Sequence, residues 1–566
     1  MENTWSDLAG HAPAGPLRDA IEWVAAAVDA PGPLSPALVD DRMRLNVFRG
    51  RQALARLEEL RRLRKPFRNV EVEAASPNAA DVRFLTADDL HVRVHWEVWE
   101  REPRHLRVLR LDWIGPEAIP LTDWEQVPDL LAHYRVPALS VAWTDGAGEP
   151  TARAWGADPD TRFAACSIAK PLTAVAVLAL VHRGVLDLDE DVNDRLTSWR
   201  VPAAGSWQPR VTLRGLLSHS AGLPIYYGMG HEADERNYSV RELLEGRDPT
   251  YRPVRVELLP GLLAVYSNAG YAIIQQLVED VTGAPLATVI EQLVLEPLRM
   301  TSSLMATAPP PSLGGRMAVG HDQFGEPLPW IVVPSVGYGG LFTTAADLCR
   351  FAAGLQRAAA GLPEAILPRE LVHEMLTPVV NPCVGLGVML STSGRRRFSH
   401  RGGLPGWAAA LTATVEPGPA VAVLVNRDGD SELFWSAMTL GAIEAAGEDL
   451  FVTQKTLTQA TTRAIGVTPR PQPAPGAVLP DGAEGTYRLR PGYELTVAGM
   501  AVTIPGQEPI PLLGGEDGRF TLEGLATTLE FTRAGGAVLR QGPEEWRLMS
   551  DQRPGRCGSD GTSGVR

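Results

Sequence analysis

Alternation of apolar and polar residues marks four stretches near the start of the chain: Val70-Glu71-Val72-Glu73, Ala80-Asp81-Val82-Arg83-Phe84, His91 to Val98 and, with one break, Leu106 to Leu111. A period of two puts every second side chain on one face, so these stretches predict an antiparallel sheet with one buried and one wet face. The segment Arg51 to Arg64 reads as one helix to pack on it. The pattern then changes. A hairpin is expected where Ala138–Trp143 and Thr151–Trp155 flank Asp145-Gly146-Ala147-Gly148, and the apolar run from Leu172 to Val181 predicts a helix buried on most sides. Ala272 to Thr282 has helical apolar spacing, strands return with Phe398–His400, Ala408–Val415 and Ala420–Val425, and a helix from about Glu432 to Ala446 follows. Sheet segments at both ends with helices between predict a central antiparallel sheet flanked by helices, with a helical subdomain beside it.

Beyond that, a connecting helix is expected near Val452 to Ile465, and the proline-rich stretch from Thr468 to Gly476 reads as a stiff linker. Short strand-like pieces punctuated by glycines, including Tyr493–Val497, Met500–Ile504 and Thr528–Thr532, predict a small β-barrel or sandwich. The expected fold class is therefore α+β multidomain. Residues 1–118 form a small N-terminal α+β domain, 119–464 the central domain, 465–482 a Pro-rich linker, 483–550 a β-rich C-terminal domain and 551–566 a disordered tail.

With 566 residues, 45% of them hydrophobic, the chain can bury more than one core. Its formal net charge of −14 argues against nucleic acid as a partner. The basic string Arg61-Arg62-Leu63-Arg64-Lys65, with Glu58 and Glu59 beside it, reads as a solvated helix end. Met1 to Asp7 has neither a basic start nor a long apolar core, and the run after Lys170 is too short for a bilayer, so no membrane association and a cytoplasmic location are expected. Cys166, Cys349, Cys383 and Cys557 suggest neither a disulfide framework nor a metal site, and the histidines show no metal-ligand spacing. No cofactor is implied.

Lysine occurs at only three positions among 53 Lys and Arg residues, and one of them, Lys170, lies three residues after Ser167. An ammonium can lose its proton when desolvated and a guanidinium cannot, so a lone lysine here suggests a removable proton. On a helix, residues three apart share a face, which brings amine and hydroxyl together at an N-terminus that favours a developing anion. Bringing the amine to near neutrality takes roughly 4 kcal/mol of differential interaction, within the reach of burial. Tyr266 and Asn268 stand two apart in Val265-Tyr266-Ser267-Asn268, and His400-Arg401-Gly402-Gly403 reads as a strand ending in glycines.

Ser-x-x-Lys, Tyr-x-Asn and His-x-Gly in this order resemble the three active-site motifs of the serine β-lactamase and penicillin-recognising superfamily, in its class C-like branch of β-lactamases, DD-peptidases, D-aminopeptidases and serine esterases. Leu216 to Pro224, Glu296 to Met300 and Gly339 to Leu348 are similar to the family's connecting text, and the resemblance covers about residues 121 to 450. It implies a β-lactamase/transpeptidase-like central domain and a serine hydrolase that acts through an acyl-enzyme on small ester or amide substrates, as an esterase or a D-amino-acid peptidase-like enzyme. Ser167 is then the nucleophile, Lys170 or Tyr266 the base and Tyr266 the proton donor to the leaving group. Asn268 donates to substrate while accepting from Lys170, the N–H groups of Ser167 and Gly403 form the oxyanion hole, and His400 and Gly402 line the substrate site.

Where many members carry Lys-Thr-Gly, this chain has His400-Arg401-Gly402, and it has no Ser-Asp-Asn string; both weaken a β-lactamase or DD-peptidase-type β-lactam-binding reading. A non-catalytic scaffold is the third reading. Arg401 should face away from His400, either as a surface charge or as a carboxylate clamp at the cleft rim. The N-terminal region resembles small cystatin-like or NTF2-like domains. The C-terminal domain is similar to the β-rich tails of some relatives, where such tails shape the cleft; simple stabilisation or dimerisation is the favoured reading, and a homodimer is compatible with it.

Overall fold

Residues 420–425, Ala-Val-Ala-Val-Leu-Val, carry no polar side chain because both faces of their strand are covered. Ala420, Ala422 and Leu424 join one core, with the helices Ala169–His182 and Ala345–Ala359, while Val421, Val423 and Val425 join a second, with the helix Glu432–Ala446. The period of two is thus split between two cores instead of between core and water. Gly441 lets the outer helix approach, since a Cβ there would lie 2.9 Å from Val421 Cγ1. The strand belongs to a six-stranded antiparallel sheet in the order Met389–Leu390, Arg397–Leu404, Trp407–Thr414, Ala420–Val425, Leu139–Thr144 and Thr151–Trp155. The expected hairpin and the returning strands are all present. The glycines at 402 and 403 do not end their strand, however, because Arg401, Gly402 and Gly403 stay in register with Ala410, Ala409 and Ala408.

This computed structural model describes residues 4–12, 14–34, 42–43, 51–98, 105–146, 148–223, 230–233, 236–248, 251–392, 394–429, 431–446, 478–490, 492–515, 518–532, 536–541 and 544–550. The helix expected near 452–465, most of the linker and the tail 551–566 lie outside these residues. No helix among them is long and apolar enough to cross a membrane.

The N-terminal region forms the expected four-stranded antiparallel sheet, Arg68–Ser76, Ala79–Leu85, His91–Val98 and Leu106–Gly115 in sequence order. It carries three helices among the described residues where one was expected: Trp5–His11 and Pro16–Asp29 join Arg51–Arg61. The second has Pro at its start and buries Leu17, Ala20, Ile21, Val24, Ala25 and Val28, a helical stripe present in the sequence. Nor is the basic string simply solvated. The Arg61 guanidinium donates to the carbonyls of Ala27, Val28, Ala30 and Gly32, capping the carboxyl end of the neighbouring helix, and Arg62 pairs with the buried Asp322 of the central region.

The C-terminal strands close into an eight-stranded barrel, not a sandwich: Gly485–Arg490 pairs with Tyr493–Val497 on one side and with Glu544–Ser550 on the other. Its interior side chains, Tyr487, Leu495, Val502 and Leu539 among them, are continuous with the core of the central region, whereas the N-terminal region keeps a core of its own.

Candidate active site

The strand Phe163–Cys166 ends on Cys166, whose φ of +51° lies in the left-handed region that side chains disfavour. The chain turns there directly into the helix Ala169–His182, with Ile168 N donating to Ala165 O at 3.1 Å and Lys170 N to Ser167 O at 3.1 Å. Ser167 sits in this turn, immediately before the helix and not in its first turn. The three-residue spacing still brings Lys170 Nζ to 3.1 Å from Ser167 Oγ.

Lys170 is fully buried, and its amine donates to the Tyr338 carbonyl at 3.0 Å. Three phenol rings surround it, Tyr266, Tyr271 and Tyr338, with centroids at 4.8, 5.5 and 5.7 Å from Nζ. Burial holds the amine well below the usual lysine range, opposed only by the Cys166 thiol. An uncharged amine that gives one N–H to Tyr338 keeps its lone pair for the Ser167 hydroxyl. Cys166 itself is buried, and desolvation pushes its thiol up to about 12, which fits a small hydrophobe next to the serine.

Tyr266 leads into the helix Asn268–Thr282 and is half-buried. Its ring packs on the His219 imidazole with centroids 4.5 Å apart, and His219 holds the backbone on both sides: its carbonyl accepts from Val265 N at 2.7 Å and its Nδ1 accepts from Ser267 N at 3.2 Å. The second bond puts the imidazole proton on Nε2. Burial, the largest cause, holds His219 well below the usual histidine range. Sequence reasoning placed His219 in a family-like loop string but gave it no role. Its neighbours Val265, Tyr266 and Ser267 are 46 to 48 residues away along the chain, so only the fold reveals them.

Asn268 lies buried at the start of its helix, but its Oδ1 has no hydrogen-bond partner, so the expected acceptance from Lys170 is not made; the amine spends its contacts on Ser167 and Tyr338. His400 is also buried. Its Nδ1 lies 2.6 Å from the Arg401 carbonyl, which can only accept, so the proton is on Nδ1 and the partnerless, buried Nε2 is a bare acceptor. Burial, with Lys170 next, pushes this imidazole down to about 3. Its ring stands 6.3 Å from that of Tyr266.

Gly402 explains how the strand reaches the serine. A Cβ there would lie 2.0 Å from Ala165 O and 3.3 Å from Cys166 Cβ, so the strand passes in direct contact with the turn that carries Ser167. At Gly403 the nearest atom to a Cβ would be Trp407 O at 4.0 Å, leaving open space. Arg401 points to the other face of the sheet, 4.6 Å over the Trp435 ring, so it is not a carboxylate clamp at the cleft rim. Among the described residues no three His, Cys, Asp or Glu side chains converge in a way that would hold a metal ion.

The family model described as Beta-lactamase matches residues 125–438, more than half of the chain. The chain belongs to the beta-lactamase family. Esterase EstB of Burkholderia gladioli is 35% identical to it over 176 residues, 30% of this chain and 44% of that protein. Penicillin-binding protein 4 of Amycolatopsis lactamdurans is 32% identical over 204 residues, 34% of this chain and 50% of that protein. The chain thus spans about half the length of these curated relatives. Among solved structures, an octameric penicillin-binding protein homologue from Pyrococcus abyssi is 21% identical with a TM-score of 0.49, covering 75% of this chain and 98% of that one. The family match takes in Ser167, the helix with Lys170, Tyr266, Asn268 and the strand with His400, Gly402 and Gly403, and leaves the N-terminal sheet and the C-terminal barrel outside it.

Proposed function

We propose that the protein is a serine hydrolase that works through an acyl-enzyme on small ester or amide substrates. The observation that carries this reading is the fully buried Lys170 amine 3.1 Å from Ser167 Oγ, which burial holds well below the usual lysine range. Ser167 Oγ bonds to the substrate carbonyl carbon as its proton passes to Lys170 Nζ. The negative charge on the former carbonyl oxygen is met by the N–H groups of Ser167 and Gly403. When the carbon–leaving-group bond breaks, the phenol of Tyr266 hands its proton to the departing oxygen or nitrogen and recovers one from Lys170. Water then attacks the acyl carbon and loses a proton to the same pair, and that proton passes to Ser167 Oγ as its bond to the acyl carbon breaks and the acid leaves.

Substrate choice follows from the two buried acceptors without donors, Asn268 Oδ1 and His400 Nε2. Each lacks a hydrogen that a substrate N–H or O–H can bring, and leaving either unmet in the complex costs about 1–3 kcal/mol. The carboxylate of a β-lactam or a DD-peptide would meet these acceptors instead of a fixed cation, since the Arg401 guanidinium is stacked on Trp435. This supports the ester and amide reading over the β-lactam one.

The test is steady-state turnover of a p-nitrophenyl ester, a D-alanine p-nitroanilide and a chromogenic cephalosporin by one preparation. The ester, the anilide or both should turn over at least about 10²-fold faster than the cephalosporin in kcat/KM, as differential binding of the transition state requires. Preferred turnover of the cephalosporin would reverse the assignment, and no turnover together with no adduct on Ser167 would leave a non-catalytic scaffold.

A further inference from the structure

The barrel touches the central region at several places, and one of them lies directly behind the candidate site. Residues 257–261 run as a strap between two partners. On the inner side, Glu257 N and Leu258 N donate to Gly222 O at 3.0 Å each, and Gly261 N donates to Ser220 O at 2.8 Å. On the outer side four backbone groups of the strap are met by the barrel, while the Glu257 carboxylate is held by Arg252 and Arg255. Ala526 N donates to Glu257 O at 2.7 Å, Gln541 Oε1 accepts from Leu259 N at 2.8 Å, and the Tyr493 hydroxyl donates to Pro260 O at 3.0 Å. The Arg490 guanidinium donates to Gly261 O at 2.6 Å and to Val380 O at 3.2 Å. Gln541 is fully buried and Tyr493 nearly so, and the Tyr493 ring lies 3.4 Å from where a Cβ on Gly261 would stand. Gly261 has a φ of +74°, which turns the strap toward the site. Five residues on is Tyr266, packed against His219, and His219 O holds Val265 N at 2.7 Å.

We propose that Arg490, Tyr493 and Gln541 are positioning residues that hold residues 257–266 so that Tyr266 faces Lys170, which makes the barrel part of the catalytic apparatus and not only a stabilising or dimerising module. The inference rests on the reading above, in which Tyr266 transfers a proton. A buried strap with its polar groups satisfied on both sides has one arrangement available to it. When the outer bonds are cut, the strap is held on the inner side only, and misplacement of a proton donor by about 1 Å costs on the order of 10² in rate. The three side chains are more than 220 residues from Tyr266 in sequence and none touches the substrate, so they act only through the strap.

The experiment compares kcat and KM for a p-nitrophenyl ester in the full chain carrying Arg490→Ala, Tyr493→Phe or Gln541→Ala, each also made in a Tyr266→Phe background. Gln507→Ala is the control. It breaks two other barrel contacts, the bonds to Arg210 N and Arg210 O at 2.9 and 2.8 Å, far along the chain from the strap. The strap variants should lower kcat about 10- to 100-fold with KM within about threefold, Gln507→Ala should stay within about twofold, and in the Tyr266→Phe background the strap changes should have no further effect, the signature of residues acting as a unit. Tyr493→Phe removes a single hydroxyl and keeps the barrel filled, so it carries the test even if Arg490→Ala does not fold. The proposal is overturned if Gln507→Ala lowers kcat as much as the strap variants do, or if their effects multiply with that of Tyr266→Phe. A Tyr266→Phe chain with wild-type kcat would instead remove the phenol from the mechanism, and the strap's role with it.

Discussion

Replacing Lys170 with methionine lowers kcat by about 10²-fold or more, as expected for loss of a general base, and does so without lowering the thermal midpoint at pH 7. The two halves of this result have one cause. In the unfolded chain a lysine titrates near ~10.4, whereas burial holds Lys170 well below its usual range in the fold. Between the folded and the unfolded value the unfolded state therefore carries a proton that the folded state has given up, and Lys170 opposes folding there. The sign is fixed by the direction of the change: the penalty is absent above the unfolded value, grows as pH falls below it, and is complete below the folded value. Each pH unit of depression is worth about 1.4 kcal/mol, against about 1–3 kcal/mol for leaving the Tyr338 carbonyl without its donor. Methionine fills a similar volume with no charge to desolvate. Thermal melts of both proteins between pH 7 and 10 check this: the wild type gains stability toward pH 10, and the variant lacks that gain. A variant that keeps its turnover, or that melts well below the wild type at pH 7, contradicts the account.

Gly402→Ala is expected to cost as much in rate for a steric reason. The new methyl would stand 2.0 Å from Ala165 O and 2.9 Å from Ala165 C, and both are backbone atoms next to the turn with Ser167, so no side-chain rotation relieves the contact. The strand must move away from the serine, carrying Gly403 with it. Loss of one oxyanion donor costs about 10²–10³ in kcat, so activity should fall by that amount even in molecules that remain folded. Circular dichroism and burst kinetics on the same sample separate misfolding from misplacement. Gly403→Ala serves as the folding control, since a Cβ there has open space. A Gly402→Ala chain with normal turnover would mean that the strand does not set the site.

The parts of this site that were legible in the sequence are those whose chemistry is local. Ser167 and Lys170 are three apart and one turn brings them together; the alternating runs at 80–84 and 91–98 form strands because that pattern suits little else. Even so, the strand through His400 continues past two glycines, since the alanines opposite hold its register. The helix Pro16–Asp29 carries an apolar stripe that is legible in the sequence, although the expected fold has one helix there. Other features had no local signal. The place of His219 beside Tyr266, the stacking of Arg401 on Trp435 and the barrel's grip on residues 257–261 all join distant segments, and no period or spacing encodes them. Asn268 illustrates the limit of analogy: the motif suggested a bond to Lys170, and the amine has other partners.

The central claim is that Ser167 is activated by an amine that burial keeps uncharged. Its most direct test is the pH dependence of Ser167 acylation by p-nitrophenyl acetate, followed as the initial burst of p-nitrophenol, with the mass of the peptide containing Ser167 as the identity check. An acetyl group on Ser167 is predicted, with an acid limb far below the ~10.4 of a free lysine. His400→Gln should not move that limb, because the imidazole is already neutral above about 3. An adduct on another residue, or an acylation rate that keeps rising until pH 10, would contradict the claim.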